Sequence, residues 1–251
     1  MAGSTGAQAG AAAATPTAGH STAGQGAAGQ SAAGSASLPP ATWRIAMLGD
    51  SITETTCMPQ LVWSGLRALG VTTFDFVGTK PNQQACGLDN PDRDCEGHSS
   101  YLVTEIVGNG PKAAELPMWC AADRADLVMM HFGTNDAWHS DIPIADILSA
   151  YSEVVAALRA AQPHVIILVA QIIPLRPDNC AECESRVRSL NDLIPRWAES
   201  ESTPESPLYA VDQWTGFDPA RDTGDGVHPN MQGSQKMADV WLAALRAHNI
   251  F

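Results

Sequence analysis

The chain contains 251 residues, and its 14 lysine and arginine residues against 27 aspartate and glutamate residues give a net charge of −13 at pH 7. Because nucleic acids and anionic membranes are also negatively charged, this balance argues against both as partners and favours a soluble protein with a neutral substrate. The longest apolar run covers residues 165–174. A membrane-spanning helix needs about 20 apolar residues, so we expect no such segment.

Residues 1–40 form a low-complexity segment dominated by Ala, Gly, Ser, Thr and Gln, without any Asp, Glu, Lys, Arg, Phe, Tyr or Trp. Such a segment buries too little apolar surface to offset the conformational entropy lost on ordering. We therefore predict a disordered linker or tail over residues 1–40 and one folded domain over residues 41–251. A linker to an upstream module and a plain disordered tail both remain open interpretations.

Short apolar runs predict five strands in the folded domain, over residues 43–48, 74–77, 126–132, 165–173 and 208–212. Helical patterns follow them over residues 58–69, 101–107, 111–116, 143–161, 183–199 and 229–248. The helix over 183–199 is expected to kink at Pro195, and the last helix to carry Pro229 in its first position. Residues 79–100 are expected to form a polar loop. Because strands and helices alternate, we predict a parallel sheet with helices on both faces.

Ser51 directly follows the first predicted strand, in the sequence LGDSIT of residues 48–53. A tight turn at Gly49 exposes this serine at the carboxyl edge of the sheet, where open α/β sheets bind their ligands. The three letters GDS are a weak signal by themselves, and a simple turn at the end of a strand is the alternative interpretation.

The sequence DGVHPN of residues 225–230 places Asp225 and His228 three residues apart, just before the last predicted helix. Histidine is the side chain best suited to take a hydroxyl proton near neutral pH. A carboxylate behind it fixes the tautomer and stabilises the imidazolium. This pair is therefore the candidate acid–base unit, with a capped turn and a surface histidine as the alternative. His98 is a less favoured candidate for the base.

Two further segments offer hydrogen-bond donors to a developing oxyanion. The sequence GTND, residues 133–136, ends the third predicted strand, and the side-chain amide of Asn135 can donate there. The sequence EGHSS, residues 96–100, closes the long polar loop, and Gly97 can present its backbone N–H without a side chain in the way. Taken alone, the GTND segment is more often an ordinary turn.

In this order and at these separations, GDSIT, DFVGT, EGHSS, HFGTND and DGVHPN resemble the blocks of the SGNH (GDSL-type) hydrolase superfamily over residues 43–248. EGHS together with the DxxHPN ending is more similar to carbohydrate esterase family three, whose members deacetylate xylan. The chain departs from that pattern at Ser100, where these relatives have glycine, and in a cysteine-bracketed insertion over residues 86–95. The resemblance implies a flavodoxin-like, three-layer α/β/α fold with a five-stranded parallel sheet of order 2-1-3-4-5.

The resemblance also implies a serine esterase site that needs no cofactor and no metal. Ser51 would be the nucleophile, His228 the general base and acid, and Asp225 the carboxylate that orients it. The backbone N–H groups of Ser51 and Gly97 and the side-chain amide of Asn135 would form the oxyanion hole. The expected substrate is acetylated plant polysaccharide such as xylan. A lipid, thioester or aryl-ester hydrolase and a non-catalytic carbohydrate-binding domain are the alternatives.

Three aromatic residues near the same edge are candidates for stacking on sugar rings, with packing in the core or at its rim as the alternative: Trp138, Trp214 and Tyr101. The acidic residues of the polar loop lack the regular ligand spacing of a calcium site, so we expect a solvated loop there. We also expect a monomer.

The six cysteines are an even set, which favours an oxidising compartment. The N-terminus has neither the basic start nor the apolar core of a signal peptide, so we expect a secreted protein whose signal peptide lies outside this sequence. The CxxC sequence is either a local disulfide or a weak redox or metal motif. The expected disulfide pairs are Cys86–Cys95, Cys180–Cys183 and, by elimination, Cys57–Cys120.

Overall fold

A mostly parallel β-sheet forms the centre of the protein. The computed structural model describes residues 41–251, and the predicted disordered segment, residues 1–40, lies outside this range. The sheet has seven strands: β1 (Trp43–Gly49), β2 (Phe74–Val77), β3 (Lys80–Pro81), β4 (Asp94–Gly97), β5 (Leu127–His131), β6 (Ile166–Gln171) and β7 (Leu208–Asp212). Six of them run parallel, and five of these six follow one another in the order β2-β1-β5-β6-β7. This is the predicted order 2-1-3-4-5, so the predicted three-layer α/β fold is confirmed, whereas the sheet has seven strands and not the five that were predicted.

The strands β3 and β4 lie within residues 79–100, where the sequence predicted only a polar loop. Strand β2 pairs with β1 along residues 43–46, which leaves the last residues of β1 with an open edge. Strand β4 fills this edge and places Gly97 opposite Gly49, while β3 pairs antiparallel with β4. The prediction was wrong here because this pairing joins residues that are distant in sequence, and local polarity does not reveal it.

Helices flank the sheet and complete the three layers. They are α1 (Ser51–Thr55), α2 (Met58–Ala68), α3 (Glu115–Asp123), α4 (Thr134–Trp138), α5 (Ile144–Ala161), α6 (Cys183–Asn191), α7 (Ile194–Glu201), α8 (Pro219–Asp222) and α9 (Met231–Ala247). Helix α2 packs against α9, whereas α5 packs against α3, α6 and α7. The apolar strands between them are buried, as at Met47, Leu127 and Ile167. Within residues 41–251, no helix combines the length and apolar character needed to cross a membrane.

The helices predicted over residues 58–69 and 143–161 are present as α2 and α5, but the four other predicted helices need correction. The helix predicted over residues 183–199 is two helices, because Pro195 lies in the first turn of α7, where its missing N–H needs no partner. Between residues 101 and 116 the structure has a single 3₁₀ turn, Val103–Glu105, and the first residues of α3.

The last helix begins two residues later than predicted. The side chain of Asn230 caps α9 by accepting a hydrogen bond from the N–H of Gly233 at 3.0 Å. Pro229 therefore precedes the cap and forms an isolated antiparallel bridge with Thr223. An asparagine at this position satisfies a backbone donor that would otherwise lack a partner, and so it determines where the helix starts.

The disulfides differ from two of the three expected pairs. Cys57 pairs with Cys86, and Cys180 pairs with Cys183 as expected. Cys95 and Cys120 are both buried and carry free thiols, so the predicted pairs Cys86–Cys95 and Cys57–Cys120 are wrong. The reason is that Cys95 lies in β4 and is buried in the core, whereas Cys86 lies in the preceding loop, against the start of α2.

Candidate active site

Ser51 is the first residue of α1 and directly follows the turn at the end of β1. Asp50 caps this helix, with its carboxylate accepting a hydrogen bond from the N–H of Ile52 at 3.0 Å. Only glycine fits at position 49, because a Cβ atom there would lie 2.3 Å from the carbonyl oxygen of His131 and from the hydroxyl of Thr53. The short strand-to-helix turn therefore holds the serine at the carboxyl edge of the sheet.

His228 and Asp225 extend from the hydroxyl of Ser51 as one chain of hydrogen bonds. The Nε2 atom of His228 lies 2.9 Å from the Ser51 Oγ atom, although the two residues are 177 positions apart in sequence. The Nδ1 atom of the same ring lies 2.7 Å from the Asp225 Oδ2 atom. With the proton on Nδ1, Nε2 is left free to accept the hydrogen of the serine hydroxyl. The three side chains therefore have the arrangement in which a base activates a serine.

The carboxylate of Asp225 is held in its ionised form. Partial burial by itself would raise its pKa, but the hydrogen bond with the His228 ring and the N–H groups of His228 and Val227 lower the pKa below its usual value. These two N–H groups donate to Oδ1 at 2.7 and 2.9 Å, which leaves Oδ2 for the imidazole. An ionised carboxylate in this position stabilises the imidazolium that forms when His228 takes a proton.

The loop that carries Asp225 and His228 is held in place by the segment that follows β6. Gly226 has a φ angle of +81°, and its carbonyl oxygen accepts a hydrogen bond from the N–H of Arg176 at 2.8 Å. The guanidinium of Arg176 in turn donates two hydrogen bonds to Glu184, at 2.8 and 2.9 Å. Glu184 follows the Cys180–Cys183 disulfide directly, so this cross-linked segment supports the loop of His228.

The backbone N–H groups of Ser51 and Ser100 have no hydrogen-bond acceptor among the described residues. The three other N–H groups of the 98–101 turn are used, by the carbonyl of Gly49, the carboxylate of Glu54 and the carbonyl of His98. Ser100 has a φ angle of +63°, which is uncommon for a residue other than glycine. Ser100 is the position at which the chain departs from the glycine of similar sequences, and no role was predicted for it.

Asn135 lies at the start of α4, and its side-chain amide donates to the carbonyl oxygen of Tyr101 at 2.8 Å. An amide nitrogen carries two hydrogens, so one remains for another acceptor. Ser51, Ser100 and Asn135 follow the carboxyl ends of three neighbouring strands, because Gly49 of β1 is opposite Gly97 of β4 and His131 of β5. The sheet thus brings the three donors to one edge.

The N–H of Gly97 is placed differently from the prediction. The N–H of His98 points towards β1, where it donates to Gly49, and successive N–H groups of a strand point to opposite sides. The N–H of Gly97 therefore points away from β1 and lies against the sulfur of Cys95. Burial raises the pKa of the Cys95 thiol to about 12. Glycine is required at position 97 for another reason: a Cβ atom would lie 2.5 Å from the backbone nitrogen of Glu54.

His98 and Tyr101 are engaged in packing. The ring of His98 is buried, contacts the carboxylate of Glu96 and stacks on Trp119 with ring centroids 3.8 Å apart. Tyr101 stacks on His98 at 5.0 Å, lies 4.3 Å from the ammonium of Lys112 and donates its hydroxyl hydrogen to Glu115. The ring of His98 is thus packed between Trp119 and Tyr101, and the ring of Tyr101 contacts His98 and Lys112, so packing is the role that the structure shows for both.

The other two candidate aromatic residues are partly buried at the rim of the core. Trp138 is the last residue of α4, and Trp214 lies beyond β7 with the guanidinium of Arg188 5.1 Å from its ring centre. Each keeps part of its ring exposed, so stacking on a sugar remains a prediction for Trp138 and Trp214.

The buried carboxyl groups of Asp50 and Asp136 lie next to the site residues Ser51 and Asn135 in the sequence. The carboxylate of Asp136 accepts hydrogen bonds from the N–H groups of Val103 and Thr104 and from the hydroxyl of Thr104, which ties α4 to the 3₁₀ turn. Burial raises the pKa of Asp50 to about 6. His131, beside them in β5, is fully buried with a pKa lowered to about 4 by burial, and its Nε2 atom accepts the N–H of Ile173 at 3.2 Å.

A three-layer α/β/α fold with a Ser–His–Asp hydrogen-bond chain at the carboxyl edge of its parallel sheet is the arrangement of the SGNH-type serine hydrolases. The family model described as the GDSL-like lipase/acylhydrolase family matches residues 47–236. The chain belongs to this family, whose members are ester hydrolases, and the predicted superfamily is confirmed.

The most informative relatives are esterases. A multidomain esterase of Ruminococcus flavefaciens is 25% identical over 225 residues, which are 82% of this chain but 29% of that protein, so the chain spans under a third of its length. Two solved structures each have a TM-score of 0.72 and 31% identity. One is an acetyl esterase mutant with acetate ion, covering 82% of this chain and 99% of that chain. The other, a carbohydrate esterase family 3 protein from Talaromyces cellulolyticus, covers 81% and 96%.

Proposed function

We propose that this chain is a serine esterase that removes acetyl groups from plant polysaccharide, with acetylated xylan as the expected substrate. The observation that carries the mechanism is the hydrogen-bond chain from Ser51 through His228 to Asp225, with separations of 2.9 and 2.7 Å. The acetyl and carbohydrate specificity is supported by the similar solved structures, an acetyl esterase and a carbohydrate esterase family 3 protein.

In the proposed reaction the Ser51 oxygen attacks the carbonyl carbon of the acetyl ester, and His228 accepts the hydroxyl proton on Nε2. The tetrahedral intermediate then expels the sugar hydroxyl, which takes its proton from His228. Water attacks the acetyl group on Ser51 with His228 again as the base, and acetate leaves. Asp225 keeps the imidazole in the required tautomer throughout both steps.

The negative charge of the intermediate needs fixed donors, and we assign three to it: the N–H groups of Ser51 and Ser100 and the side-chain amide of Asn135. Ser100 replaces Gly97 in this assignment, because the N–H of Ser100 has no acceptor within residues 41–251, whereas that of Gly97 points away from β1. Asn135→Ala should lower kcat by roughly 10²–10³-fold with little change in KM, because it removes one such donor. A change confined to KM would assign Asn135 to substrate binding.

Acetate release from acetylated xylan tests the proposed activity, with acetylated chitooligomers and p-nitrophenyl acetate as comparison substrates. The Ser51→Ala variant should lose all activity and keep its melting temperature. Ser200→Ala, an exposed serine on α7, is the matched control and should behave as wild type. An active Ser51→Ala variant would exclude the proposed nucleophile, and release from chitooligomers alone would exclude xylan as the preferred substrate.

A second candidate function is favoured by the family description, which names lipases and acylhydrolases. A lipid, thioester or aryl-ester hydrolase should accept long acyl chains. Rates on p-nitrophenyl esters from acetate to octanoate separate the two: a steep fall beyond acetate supports the acetyl esterase, and a flat or rising series supports the alternative. A non-catalytic carbohydrate-binding domain would leave Ser51 unlabelled by a fluorophosphonate probe.

The acid–base pair can be tested within the same assays. His228→Ala removes the base and should reduce kcat at least as far as the loss of any single oxyanion donor. Asp225→Asn leaves the imidazole in place, so its loss should be smaller than that of His228→Ala. An Asp225→Asn variant as inactive as His228→Ala would contradict a purely orienting role for the carboxylate.

Secretion and attachment to further modules are part of the same proposal. The two disulfides are typical of an oxidising compartment, and the related multidomain esterase carries more than this one domain. Secretion through a signal peptide in the natural host, followed by activity measurements in the culture medium, tests the location.

A further inference from the structure

We propose that Glu54 is a positioning residue of the oxyanion hole, which holds the turn of Ser99 and Ser100 so that the Ser100 N–H faces the reacting ester. This inference rests on the proposed function. Glu54 lies in α1, three residues after the nucleophile, and is only 4% exposed. Its carboxylate accepts the N–H of Ser99 at 2.7 Å. A carboxylate buried beside the nucleophile, with no role in proton transfer, calls for such an explanation.

The Ser99 anchor matters because Ser100 has an unfavourable backbone conformation. A φ angle of +63° is uncommon for serine, so the chain adopts it only where neighbouring contacts enforce it. On one side of Ser100 the N–H of Ser99 is bound by Glu54, and on the other the N–H of Tyr101 is bound by the carbonyl of His98 at 3.2 Å. With both neighbours held, the Ser100 N–H is the one left without an acceptor in this turn.

Glu54 also connects the turn to the nucleophile itself. The α-carbon of Gly97 packs directly on the backbone of Glu54, where a Cβ atom would lie 2.5 Å from the nitrogen and 2.8 Å from Cα. Since Ser51 and Glu54 share one helical turn, the N–H groups of Ser51 and Ser100 are placed relative to each other through a single residue. A shift of either group would separate two donors that must act on the same oxygen.

The negative charge of Glu54 is balanced by β3 and the residues after it. The side-chain amide of Gln83 donates to Glu54 Oε1 at 2.6 Å, and the ammonium of Lys80 lies 3.6 Å from the same atom. Burial by itself would raise the pKa of Glu54, but the hydrogen bonds from Ser99 and the charge of Lys80 hold it below its usual value. An ionised carboxylate binds the Ser99 N–H more strongly than a neutral acceptor would.

The inference predicts a loss of transition-state stabilisation without a loss of substrate binding. Glu54→Ala should lower kcat on p-nitrophenyl acetate by roughly 10²-fold, comparable with the removal of one oxyanion donor, and leave KM nearly unchanged. Glu54→Gln keeps an oxygen that can accept the Ser99 N–H, but a neutral acceptor binds it more weakly than a carboxylate does. This variant should therefore recover most of the loss and keep a kcat about three- to tenfold below that of wild type. Gln83→Ala is the matched control, because it removes another partner of the carboxylate and leaves the Ser99 contact intact.

Inhibition by a phenylboronic acid, which forms a tetrahedral adduct on the serine, separates a positioning role from a merely structural one. The inhibition constant should rise in parallel with the fall in kcat/KM for both Glu54 variants and stay constant for Gln83→Ala. A merely structural role would lower the melting temperature and leave kcat per active site and the inhibition constant unchanged, and that result would overturn the proposal.

Active-site titration with a fluorophosphonate distinguishes a failure of the proposed esterase function from a failure of the proposed role of Glu54. Wild-type protein that is not labelled at Ser51 contradicts the proposed function, whereas labelled, fully active Glu54 variants contradict only the role of Glu54. If Glu54→Ala does not fold, Glu54→Gln decides the question: a lower kcat with unchanged KM and weaker boronate binding supports the role, and wild-type values of all three refute it.

Discussion

Gly226, between Asp225 and His228, is the position where one added methyl group should damage the site most. Its φ angle of +81° is in the left-handed region, and a Cβ atom would lie 2.1 Å from the carbonyl oxygen of Arg176 and 3.0 Å from Cα of Pro177. Since both neighbouring atoms belong to the backbone, rotation of a side chain cannot relieve the overlap. The loop of His228 must move away from Arg176 instead.

The size of the effect of Gly226→Ala follows from three contributions. The left-handed conformation costs alanine about 1–2 kcal/mol. Separation of the loops breaks the hydrogen bond from the Arg176 N–H, worth about 0.5–1.5 kcal/mol. Alanine also lowers the conformational entropy of the unfolded chain relative to glycine, which offsets about 0.4–1 kcal/mol of this loss of stability. The expected net loss of about 1–3 kcal/mol should lower the melting temperature by several degrees. A displacement of the imidazole by about 1 Å should reduce kcat/KM by roughly 10²-fold.

Two other glycines provide matched controls for calorimetry and for rates on p-nitrophenyl acetate. Gly224 lies in the same loop with open space around it and no positive φ angle, so Gly224→Ala should be neutral. Gly216 has a φ angle of +82° but no atom within 4 Å of an added Cβ, so Gly216→Ala should show backbone strain alone and keep its activity. If Gly226→Ala matched Gly216→Ala in both stability and rate, the crowding against Arg176 would be irrelevant and the argument refuted.

The remaining predictions concern stability. Burial, reinforced by the neighbouring Glu96, raises the pKa of Asp123 to about 8. An acid with a raised pKa takes up a proton on folding, so its stabilising contribution is complete below about pH 4. That contribution is then lost as the pH rises to about 8. Asp123→Asn should therefore flatten the decline in unfolding free energy over this range, measured by urea titration; an unchanged slope would contradict this. Replacing Cys57 and Cys86 by serine should cost about 3–4 kcal/mol, against about 2 kcal/mol for Cys180 and Cys183, because the bridged residues are 29 and 3 positions apart. Equal losses in urea midpoint would show that loop closure does not dominate.

The parallel sheet was predictable because its strands carry their own signal. Each of the five predicted strands contains a short apolar run, and the long intervening helix over residues 144–161 repeats buried apolar residues at helical spacing. The placement of Asp225 beside His228 was predictable for the same local reason. Asp225 and His228 are three residues apart, and the carboxylate is oriented by N–H groups from within its own turn.

The features that the sequence did not reveal depend on contacts between distant residues. Strand β4 is polar and short, and it forms because the edge of β1 beyond residue 46 is open. The disulfide partner of Cys57 is decided by the orientation of Cys95 into the core, which cysteine spacing does not encode. Ser100 was visible as a departure from EGHSG, yet its φ angle depends on a carboxylate 45 residues away from Ser99.

The contrast between local and long-range contacts divides the site into two halves that should respond differently to substitutions. Ser51 lies on a turn capped by Asp50, and Asp225 and His228 lie on a turn that is closed by its own hydrogen bonds and held by Arg176, so substitutions away from these two places should leave the three side chains in position. The oxyanion side depends on the pairing of β4 with β1 and on Glu54, and the Cys57–Cys86 disulfide closes the same insertion. Changes that disturb the pairing of β4 with β1 or open the Cys57–Cys86 disulfide should therefore alter kcat through the placement of the Ser100 N–H, although Ser100 is the one residue of segment 79–100 that we propose as a donor to the substrate. A variant of segment 79–100 that has a lower kcat should also bind the boronic acid more weakly. The hydrogen-bond chain from Ser51 to Asp225 should remain intact in it.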